Sequence, residues 1–455
     1  MAGPYFRCGM GKSAGGYTQA DIDSYYIEID SVKHLPTVNA VREYGYNNQT
    51  FNSPINVGNN VAEAGYLAYM CTNFNSAINI GSNVKNCSGL CWKANIFNYP
   101  VVFPESVVDM SNAFRDTVYN QPVQNIHDNV NIGYMFSNDP AFDQPLNIGN
   151  NVNAYSTLNN CNNFNQPLNI GDNCYLFYTV ANCFNFNKPI SIGVNCDCQN
   201  TLQKTSYNLP FQNIIDPKNL KGFFSYTPYN YPINVICTDD RNLDCGELIR
   251  EVETFNSPVM IMMNGGELIL NSFASNVMNY NKPLTIQNAS AIRNCAFAFR
   301  GTNFNQPIDL GILSGDCMSA FSNDIEFNQP LYIGTNITSE NTINASNILK
   351  NAKSFNSDIV FSERVTLMLM ALDGCTNFGG NIYVKGKTYR SLNIQKMLFN
   401  TNNSLRKNVF FNAALNNVFN VTSSSSLVSS VSWTAMTNGF YNAAWNIYCY
   451  YNYEG

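Results

Sequence analysis

A Phe-Asn-x-Pro-(Ile/Leu) phrase recurs along most of this chain, and the recurrence restricts the fold to a repeat architecture. The phrase opens with an aromatic residue at fifteen positions that lie about 23 residues apart. These positions are Phe51, Phe74, Phe97, Tyr119, Phe142, Phe164, Phe186, Tyr207, Tyr229, Phe255, Tyr280, Phe304, Phe327, Phe355 and Phe378. Proline stands three residues after the aromatic in twelve of the fifteen phrases. A period of this length is typical of a solenoid that stacks one short unit per turn.

Each phrase contains a short alternation of apolar and polar residues. If the aromatic is position zero, positions four and six are aliphatic and position five is usually polar, as in Leu168-Asn169-Ile170. This period of two predicts a short strand with one buried face, and strands of successive turns are expected to pair in parallel. Glycine often follows at position seven, where we expect a positive φ that lets the chain turn. The glycines are Gly58, Gly81, Gly149, Gly171, Gly193, Gly311 and Gly334.

The return segment after each strand has a looser apolar pattern. Asparagine-rich sequence with weak helix formers predicts one or two helical turns in some repeats and irregular or 3₁₀ chain in others. Six cysteines fall in apolar slots of this segment, in some repeats where others carry valine, so we interpret them as buried core thiols. They are Cys71, Cys161, Cys174, Cys183, Cys196 and Cys375.

These patterns predict a leucine-rich-repeat-like solenoid with non-repeat ends. About fifteen turns of about 23 residues would each contain one short parallel β-strand and an irregular or short helical return. Residues 1–50 do not fit the repeat and are interpreted as an N-terminal cap or attachment arm, and residues 51–399 as the solenoid. Residues 400–455 are interpreted as an aromatic-rich C-terminal cap or interaction segment.

Composition narrows the partners and the compartment. Only 12% of the residues are charged and the net charge is −6, which argues against nucleic acid as a partner because that requires a basic face. No apolar run is long enough to span a bilayer, and Met1–Tyr17 has no hydrophobic signal region, so we expect neither membrane insertion nor Sec export. An odd total of 15 cysteines favours a reduced compartment.

The repeat phrases resemble a known family. FNQPLNIGNNV, FNQPLNIGDNC and FNQPIDLGILS are similar to the BspA-type leucine-rich repeats and to the related FNQPL-type surface repeats of mycoplasma-like lipoproteins and large DNA viruses. The resemblance covers roughly Phe51 to Val384. It departs from the family where the usual Trp-Asp-Val after the strand reads Ile-Gly-x-Asn-Val. The resemblance implies a surface-displayed, non-enzymatic binding or structural protein.

Few residues indicate catalytic chemistry. The two histidines, His34 and His127, have no carboxylate or thiol pattern beside them, which disfavours most metal and triad schemes. Asp239, Asp240 and Asp244 form the segment that most resembles a catalytic carboxylate cluster, and we interpret it as a solvated loop. The alternative is a carboxylate cluster of the kind that glycosidases use. We therefore expect no catalytic residue, no bound metal and no cofactor.

Three functions remain open at this point. The first is a virion structural or attachment protein, such as a phage fibre, tail or capsid-associated protein, with other virion proteins and a host-surface glycan or protein as partners. The second is a bacterial or protist cell-surface adhesin, and the third is a carbohydrate-active solenoid enzyme. The sequence leaves the oligomeric state open, with a homo-oligomer among the options.

The predicted binding residues are those at position five of the strands, because they project from the exposed face of each turn. We call them the strand-face residues: Asn56, Asn79, Asn147, Asn169, Ser191, Thr285, Asp309 and Tyr332. A row of amides and hydroxyls suits a glycan or another protein's polar surface. The alternative is that these side chains are solvated and form hydrogen bonds only between turns.

Overall fold

The computed structural model describes residues 27–29, 32–34, 47–337, 341–385, 397–398, 400–402, 404–411 and 447–451. The chain divides into two compact units, Met1–Leu209 and Pro210–Gly455. In each unit, successive turns contribute short strands that pair mainly in parallel. The predicted repeat solenoid is therefore confirmed.

The first unit contains short strands on one face of its turns. They are β1 (Ile27–Ile29), β2 (Val32–His34), β3 (Ile55–Val57), β4 (Ile78–Asn79), β5 (Leu146–Ile148), β6 (Leu168–Ile170) and β7 (Ile190–Ile192). Strands β5, β6 and β7 pair in parallel and in register. Strand β1 is antiparallel to both β2 and β3. A second face is held by single parallel bridges, such as the one between Asn131 and Asn153.

The second unit has two strands in most of its turns. The strands at the predicted positions are β9 (Ile233–Ile236), β11 (Val259–Met262), β13 (Leu284–Gln287), β16 (Leu331–Ile333), β18 (Ile359–Phe361) and β20 (Asn381–Val384), whereas β8 (Ile214–Ile215) begins seven residues after Tyr207, later than predicted. The additional strands are β10 (Leu243–Asp244), β12 (Glu267–Ile269), β14 (Ala291–Asn294), β15 (Leu313–Asp316), β17 (Ile343–Asn344) and β19 (Val365–Leu367). Strands β21 (Lys407–Phe411) and β22 (Ile447–Tyr451) extend the sheet beyond β20. Sequence analysis did not predict the additional strands.

The repeat aromatics form a stack of rings through the core of each unit. Phe164 is fully buried, and its ring centroid lies 6.0 Å from that of Phe142 and 5.5 Å from that of Phe186. In the second unit, Phe355 stands 6.1 Å from Phe327 and 5.7 Å from Phe378, with interplanar angles of 7°. Because no turn can bury its own ring on both sides, each turn depends on its neighbours for a dry core.

The asparagine after each aromatic links its turn to the next one. Its side-chain Oδ1 accepts the backbone N–H of the equivalent residue one turn later, as Asn165 does from Asn187 at 2.9 Å and Asn256 from Asn281 at 3.0 Å. In the first unit this asparagine ladder comprises Asn52, Asn75, Asn98, Asn120, Asp143, Asn165, Asn187 and Asn208. In the second it comprises Asn230, Asn256, Asn281, Asn305, Asn328 and Asn356, and ends on Gly379. The ladder explains why the phrase requires asparagine.

The return segments contain no helix among the described residues, which corrects the prediction of short helical turns. Instead, single residues with a left-handed backbone interrupt each return segment, as Tyr66 (φ 59°) and Met70 (φ 59°) do four residues apart. This backbone conformation lets the N–H of Tyr66 donate to the carbonyl oxygen of Ser88 at 2.9 Å, and the N–H of Met70 donate to the carbonyl oxygen of Trp92 at 2.8 Å. The return segments therefore form hydrogen bonds between turns, whereas a helix would form them within the segment.

The glycines at position seven are needed for space rather than for a positive φ. Of the seven, only Gly334 has a positive φ, at 64°. A Cβ on Gly171 would lie 2.8 Å from the carbonyl oxygen of Gly149, and one on Gly193 would lie 2.6 Å from that of Gly171. The expectation that these glycines allow a left-handed turn was therefore wrong for the other six, and at Gly171 and Gly193 the close approach of the preceding turn is what requires glycine.

The six predicted core cysteines are all buried and none forms a disulfide. The Sγ of Cys183 donates to the carbonyl oxygen of Leu158 at 2.9 Å, and that of Cys375 donates to Leu349 at 3.0 Å. Burial raises the pKa of Cys71 to about 11, so this thiol is protonated at neutral pH. The interpretation of these residues as small core side chains is confirmed.

Parts of the predicted ends lie outside the described residues. For residues 1–50, the described portion consists of β1, β2 and residues 47–50. The stretch of residues 412–446, which includes Trp433, Phe440, Tyr441 and Trp445, lies outside the described residues. The proposed boundaries at 50 and 399 stay a prediction.

We expect Phe164→Ala to destabilise the chain by roughly 3–5 kcal/mol, because it leaves a cavity between two stacked rings. Phe184→Ala is the matched control, since Phe184 is 56% exposed and its loss should cost less than about 0.5 kcal/mol. Urea unfolding of both variants measures the difference. A cost below about 1 kcal/mol for Phe164→Ala would show that the ring stack does not stabilise the core.

Candidate functional site

The structure places the strand-face residues on the exposed side of their strands. Asn79, Asn147, Asn169, Ser191 and Thr285 are exposed, and Asn56 is half-buried. Asp309 and Tyr332 are also exposed, and Asp309 stands next to the bridge residue Leu310. The pattern of burial, with position five outward between two buried aliphatics, follows the predicted alternation.

Hydrogen bonds between side chains connect the strand-face residues of the first unit. Asn147 Nδ2 donates to Asn125 Oδ1, Asn169 Nδ2 donates to Asn147 Oδ1, and Ser191 Oγ donates to Asn169 Oδ1, each at 2.9 Å. We call Asn125, Asn147, Asn169 and Ser191 the amide ladder. Sequence analysis did not assign Asn125 to it, because an extra residue shifts the register after Tyr119.

The strand-face residues do not form one continuous site. Those of the first unit form the amide ladder and a separate pair, Asn56 and Asn79. In the second unit, Thr285 stands beside Met260 in the sheet, and Tyr332 beside Val360. Polar character is thus concentrated in the first unit, while the equivalent positions of the second unit include larger apolar side chains.

A cleft of ≈ 490 Å³ opens beside Tyr332 in the second unit. Besides Tyr332, its lining includes Asn336, Val360, Arg364 and Lys385. The repeat from Phe327 to Phe355 is 28 residues long, and part of its extra length forms a wall of this cleft. The sequence alone does not show that residues of this longer repeat lie beside an exposed tyrosine.

A smaller cleft of ≈ 350 Å³ lies where the first unit's strand pairing is interrupted. Pro104 occupies the position that glycine takes in neighbouring turns, and lines the cleft together with Phe103 and His127. His127 is half-buried; its Nδ1 lies 3.1 Å from the carbonyl oxygen of Asp128, while its Nε2 has no hydrogen-bond partner in the described part of the chain. His127 thus lies at the end of a strand position, next to the bridge residue Ile126.

Two of the three carboxylates considered for catalysis, Asp239 and Asp244, are engaged in local interactions. Asp239 pairs with Arg241, whose Nε lies 2.5 Å from Asp239 Oδ1 and whose second terminal nitrogen lies 2.6 Å from Oδ2. The hydrogen bond from Arg241 lowers the pKa of Asp239, which therefore remains a carboxylate and does not act as a proton donor. Asp244 Oδ1 accepts the N–H of Gly246 at 2.7 Å, as in an Asx turn.

Two buried aspartates, one in each unit, have a threonine partner in the preceding turn. Thr117 Oγ1 donates to Asp139 Oδ2 at 2.9 Å, and Thr302 Oγ1 donates to Asp324 Oδ2 at 2.8 Å. Burial raises the pKa of Asp139 to about 6 and that of Asp324 to about 8. Sequence analysis did not identify either pair, because each aspartate stands in a slot that is apolar in most turns.

A row of aromatic side chains on the return segments of the first unit was also missed. We call it the aromatic column: Tyr66, Tyr69, Trp92, Arg115, Tyr134, Tyr155, Tyr175 and Phe177. Arg115 lies 5.1 Å from the Trp92 ring centroid and 4.9 Å from that of Tyr134, and the rings of Tyr134 and Tyr155 are 5.0 Å apart. Most of its members are half-buried, so the column stabilises this face by stacking. An alignment of the return segments at the repeat period would have revealed it.

Metal-binding clusters and membrane-spanning helices are both absent from the described residues. No group of three or more His, Cys, Asp or Glu side chains is placed to hold a metal ion there. The same residues include no helix with the length and apolarity needed to cross a membrane.

We expect Asp324 to make stability depend on pH. Its folded-state pKa of about 8 lies above the ordinary value of an aspartate, 3.8, so its contribution to stability is fully present below about pH 4 and is lost as the pH rises through about 8. The stability of the wild type relative to Asp324→Asn should therefore fall between about pH 4 and 8, by at most about 1.4 kcal/mol per pH unit, and level off above that.

Urea unfolding at several pH values measures this difference. Asp139→Asn is the matched control, because its relative stability should change only below a pH of about 6 to 7, given a pKa of about 6. A pH-independent difference between the wild type and Asp324→Asn would contradict the assignment.

Comparison with known proteins identifies one family. Residues 66–170, 103–192 and 268–385 match the family described as Mycoplasma protein of unknown function, DUF285. Together the three matches cover more than half of the 455 residues. No curated protein and no solved structure matches the chain significantly.

Proposed function

The chain belongs to the DUF285 family, and we propose that it is a non-enzymatic attachment protein displayed on the outside of a cell or particle. Its exposed strand face would bind a host-surface glycan or protein. The family description names Mycoplasma, and the sequence resembles repeats found on surfaces, which supports display at a cell surface.

The amide ladder is the observation that carries this proposal. Its members are exposed, and each hydrogen bond between turns uses only part of a side chain's capacity. An asparagine amide has two N–H donors and two acceptor lone pairs, so Asn147 and Asn169 each keep one N–H and one lone pair for a ligand. A row of equally spaced polar groups suits a ligand that also repeats.

The ladder is also held in place before any ligand arrives. Asn147 and Asn169 stand in β5 and β6, whose flanking aliphatics are buried and whose backbones pair in register. Their side chains are further fixed by the hydrogen bonds between turns. Because fewer rotamers are lost on binding, such an array supports affinity better than flexible loops would.

The absence of enzymatic activity is part of the proposal. It is supported by the pairing of Asp239 with Arg241: both carboxylate oxygens of Asp239, one of the candidate glycosidase residues, accept hydrogen bonds from the guanidinium. The alternative of a carbohydrate-active enzyme would require two free carboxyl groups about 5–10 Å apart.

A second location, the surface of a virion, is favoured by the cysteines. Thirteen described cysteines are buried and free of disulfides, which fits assembly of a particle in a reducing compartment. In that case the partners would include other virion proteins, with host attachment still served by the strand face.

Immunogold electron microscopy of intact source material, with an antibody against the full chain, tests the proposal. We expect gold particles on the outer surface, and antibody pre-adsorbed with purified chain as the control should give no label. Label on a cell envelope would support the adhesin, and label on virus particles would support the virion protein. Gold confined to the interior, visible only after sectioning, would contradict surface display.

A further inference from the structure

The cleft beside Tyr332 has the size and shape of a small-ligand site. Its volume of ≈ 490 Å³ falls within the range of roughly 300–1,000 Å³ that is typical of such sites. Three successive turns line it: Tyr332 and residues 334–337 from the first, Val360 and residues 362–364 from the second, and Lys385 from the third. A ligand there would be enclosed on several sides, in contrast to one on the flat amide ladder.

Tyr332 gives the cleft one exposed aromatic surface. Tyr332 is 52% exposed, and its neighbour in the adjacent strand is Val360, which is buried. At the equivalent positions of β5, β6 and β7 the chain carries Asn147, Asn169 and Ser191. An exposed aromatic ring beside an aliphatic side chain offers a platform for the apolar face of a ligand.

The walls of the cleft are fixed by backbone geometry. Gly334 has a φ of 64°, and a Cβ there would lie 2.9 Å from Ser362 Oγ, so only glycine fits where the chain leaves β16. The N–H of Asn336 donates to the carbonyl oxygen of Gly311 at 2.8 Å, and that of Lys385 donates to Phe361 at 2.8 Å. Because these segments are bonded to neighbouring turns, ligand binding orders little additional chain.

Most of the other residues that line the cleft are polar or charged. Thr335 supplies a hydroxyl and Asn336 an amide, while Glu363, Arg364 and Lys385 supply charges of both signs. These groups include both donors and acceptors, so they match a ligand whose own groups can donate and accept. A hydroxyl does both.

We propose that this cleft binds a single neutral sugar ring at the end of a host-surface glycan. A pyranose has one face of C–H groups, which would lie on the Tyr332 ring, and a ring of hydroxyls, which would contact the polar residues of the lining. A phosphate-bearing ligand would meet the carboxylate of Glu363, and a purely apolar ligand would remove the polar lining from water without offering it hydrogen bonds. This inference rests on the proposed attachment function and specifies its ligand class.

The test begins with the purified full chain on a printed array of neutral and acidic oligosaccharides. We expect binding to glycans that end in a neutral hexose, and calorimetric titration with the best oligosaccharide should show an affinity that changes little with salt, because no net charge is recognised. Tyr332→Ala should weaken binding at least about tenfold, whereas Tyr332→Phe, which keeps the ring, should stay within about twofold.

Two control variants separate this cleft from the rest of the surface. Tyr231→Ala removes another tyrosine of the same unit that is 36% exposed, and should leave affinity unchanged. The double variant Asn147→Lys/Asn169→Lys alters the amide ladder of the first unit, so it reports separately on any binding at the strand face. An unchanged melting temperature for every variant establishes that each one folds.

The possible outcomes distinguish this inference from the proposed function. Glycan binding that survives Tyr332→Ala but is lost in Asn147→Lys/Asn169→Lys would overturn the cleft and move the site to the amide ladder. If no glycan on the array binds while gold labels the outer surface, the inference fails and the attachment function stands. Gold confined to the interior would instead overturn the attachment function, whatever the array shows.

Discussion

The solenoid depends on hydrogen bonds that run from one turn to the next. Its strands are only two to five residues long, so the ladders between strands supply few bonds per turn. The asparagine ladder and the left-handed return segments supply the others, as in the bond from the N–H of Asn187 to Asn165 Oδ1. Each such bond contributes about 0.5–1.5 kcal/mol, and because it repeats in every turn, the sum governs the stack. The buried aromatic rings can then stack only in the register that these bonds impose.

Much of this fold could be predicted from the sequence, because its dominant signal is a repeated pattern of burial. The alternation around Asn169 determined which side chains face outward, and the aromatic at Phe164 marked the core. The return segments could not be predicted in the same way. A left-handed backbone at Tyr66 or Met70 is stabilised by hydrogen bonds to carbonyl oxygens of the next turn. The conformational preference of a residue and its sequence neighbours does not depend on those distant acceptors, so it could not predict this conformation. For the same reason, the requirement for glycine at position 171 was attributed to a positive φ, although it comes from the close approach of Gly149 in the preceding turn.

The candidate site was predictable to a lesser degree. Position five of each turn gave the exposed residues, including Tyr332. The cleft beside Tyr332 was not predictable, because it requires the inserted loop after Gly334 and the residues around Arg364 to meet in space. The residues that line this cleft come from three turns, and the sequence pattern within one turn does not show which residues of different turns lie side by side. The same holds for the Thr302–Asp324 pair, which joins two turns across the core.

Hydrogen exchange at the backbone amides of the asparagine ladder tests the central claim most directly. The side chains of Asn75, Asn187 and Asn256 are exposed, yet each N–H donates to an asparagine Oδ1 of the preceding turn. We predict slow exchange at these amides, comparable to that of the strands, and faster exchange at Asn187 in an Asn165→Ala variant. Asn163 and Asn185 are exposed controls whose N–H groups bond no acceptor among the described residues. Ladder amides that exchange as fast as these controls would contradict the account.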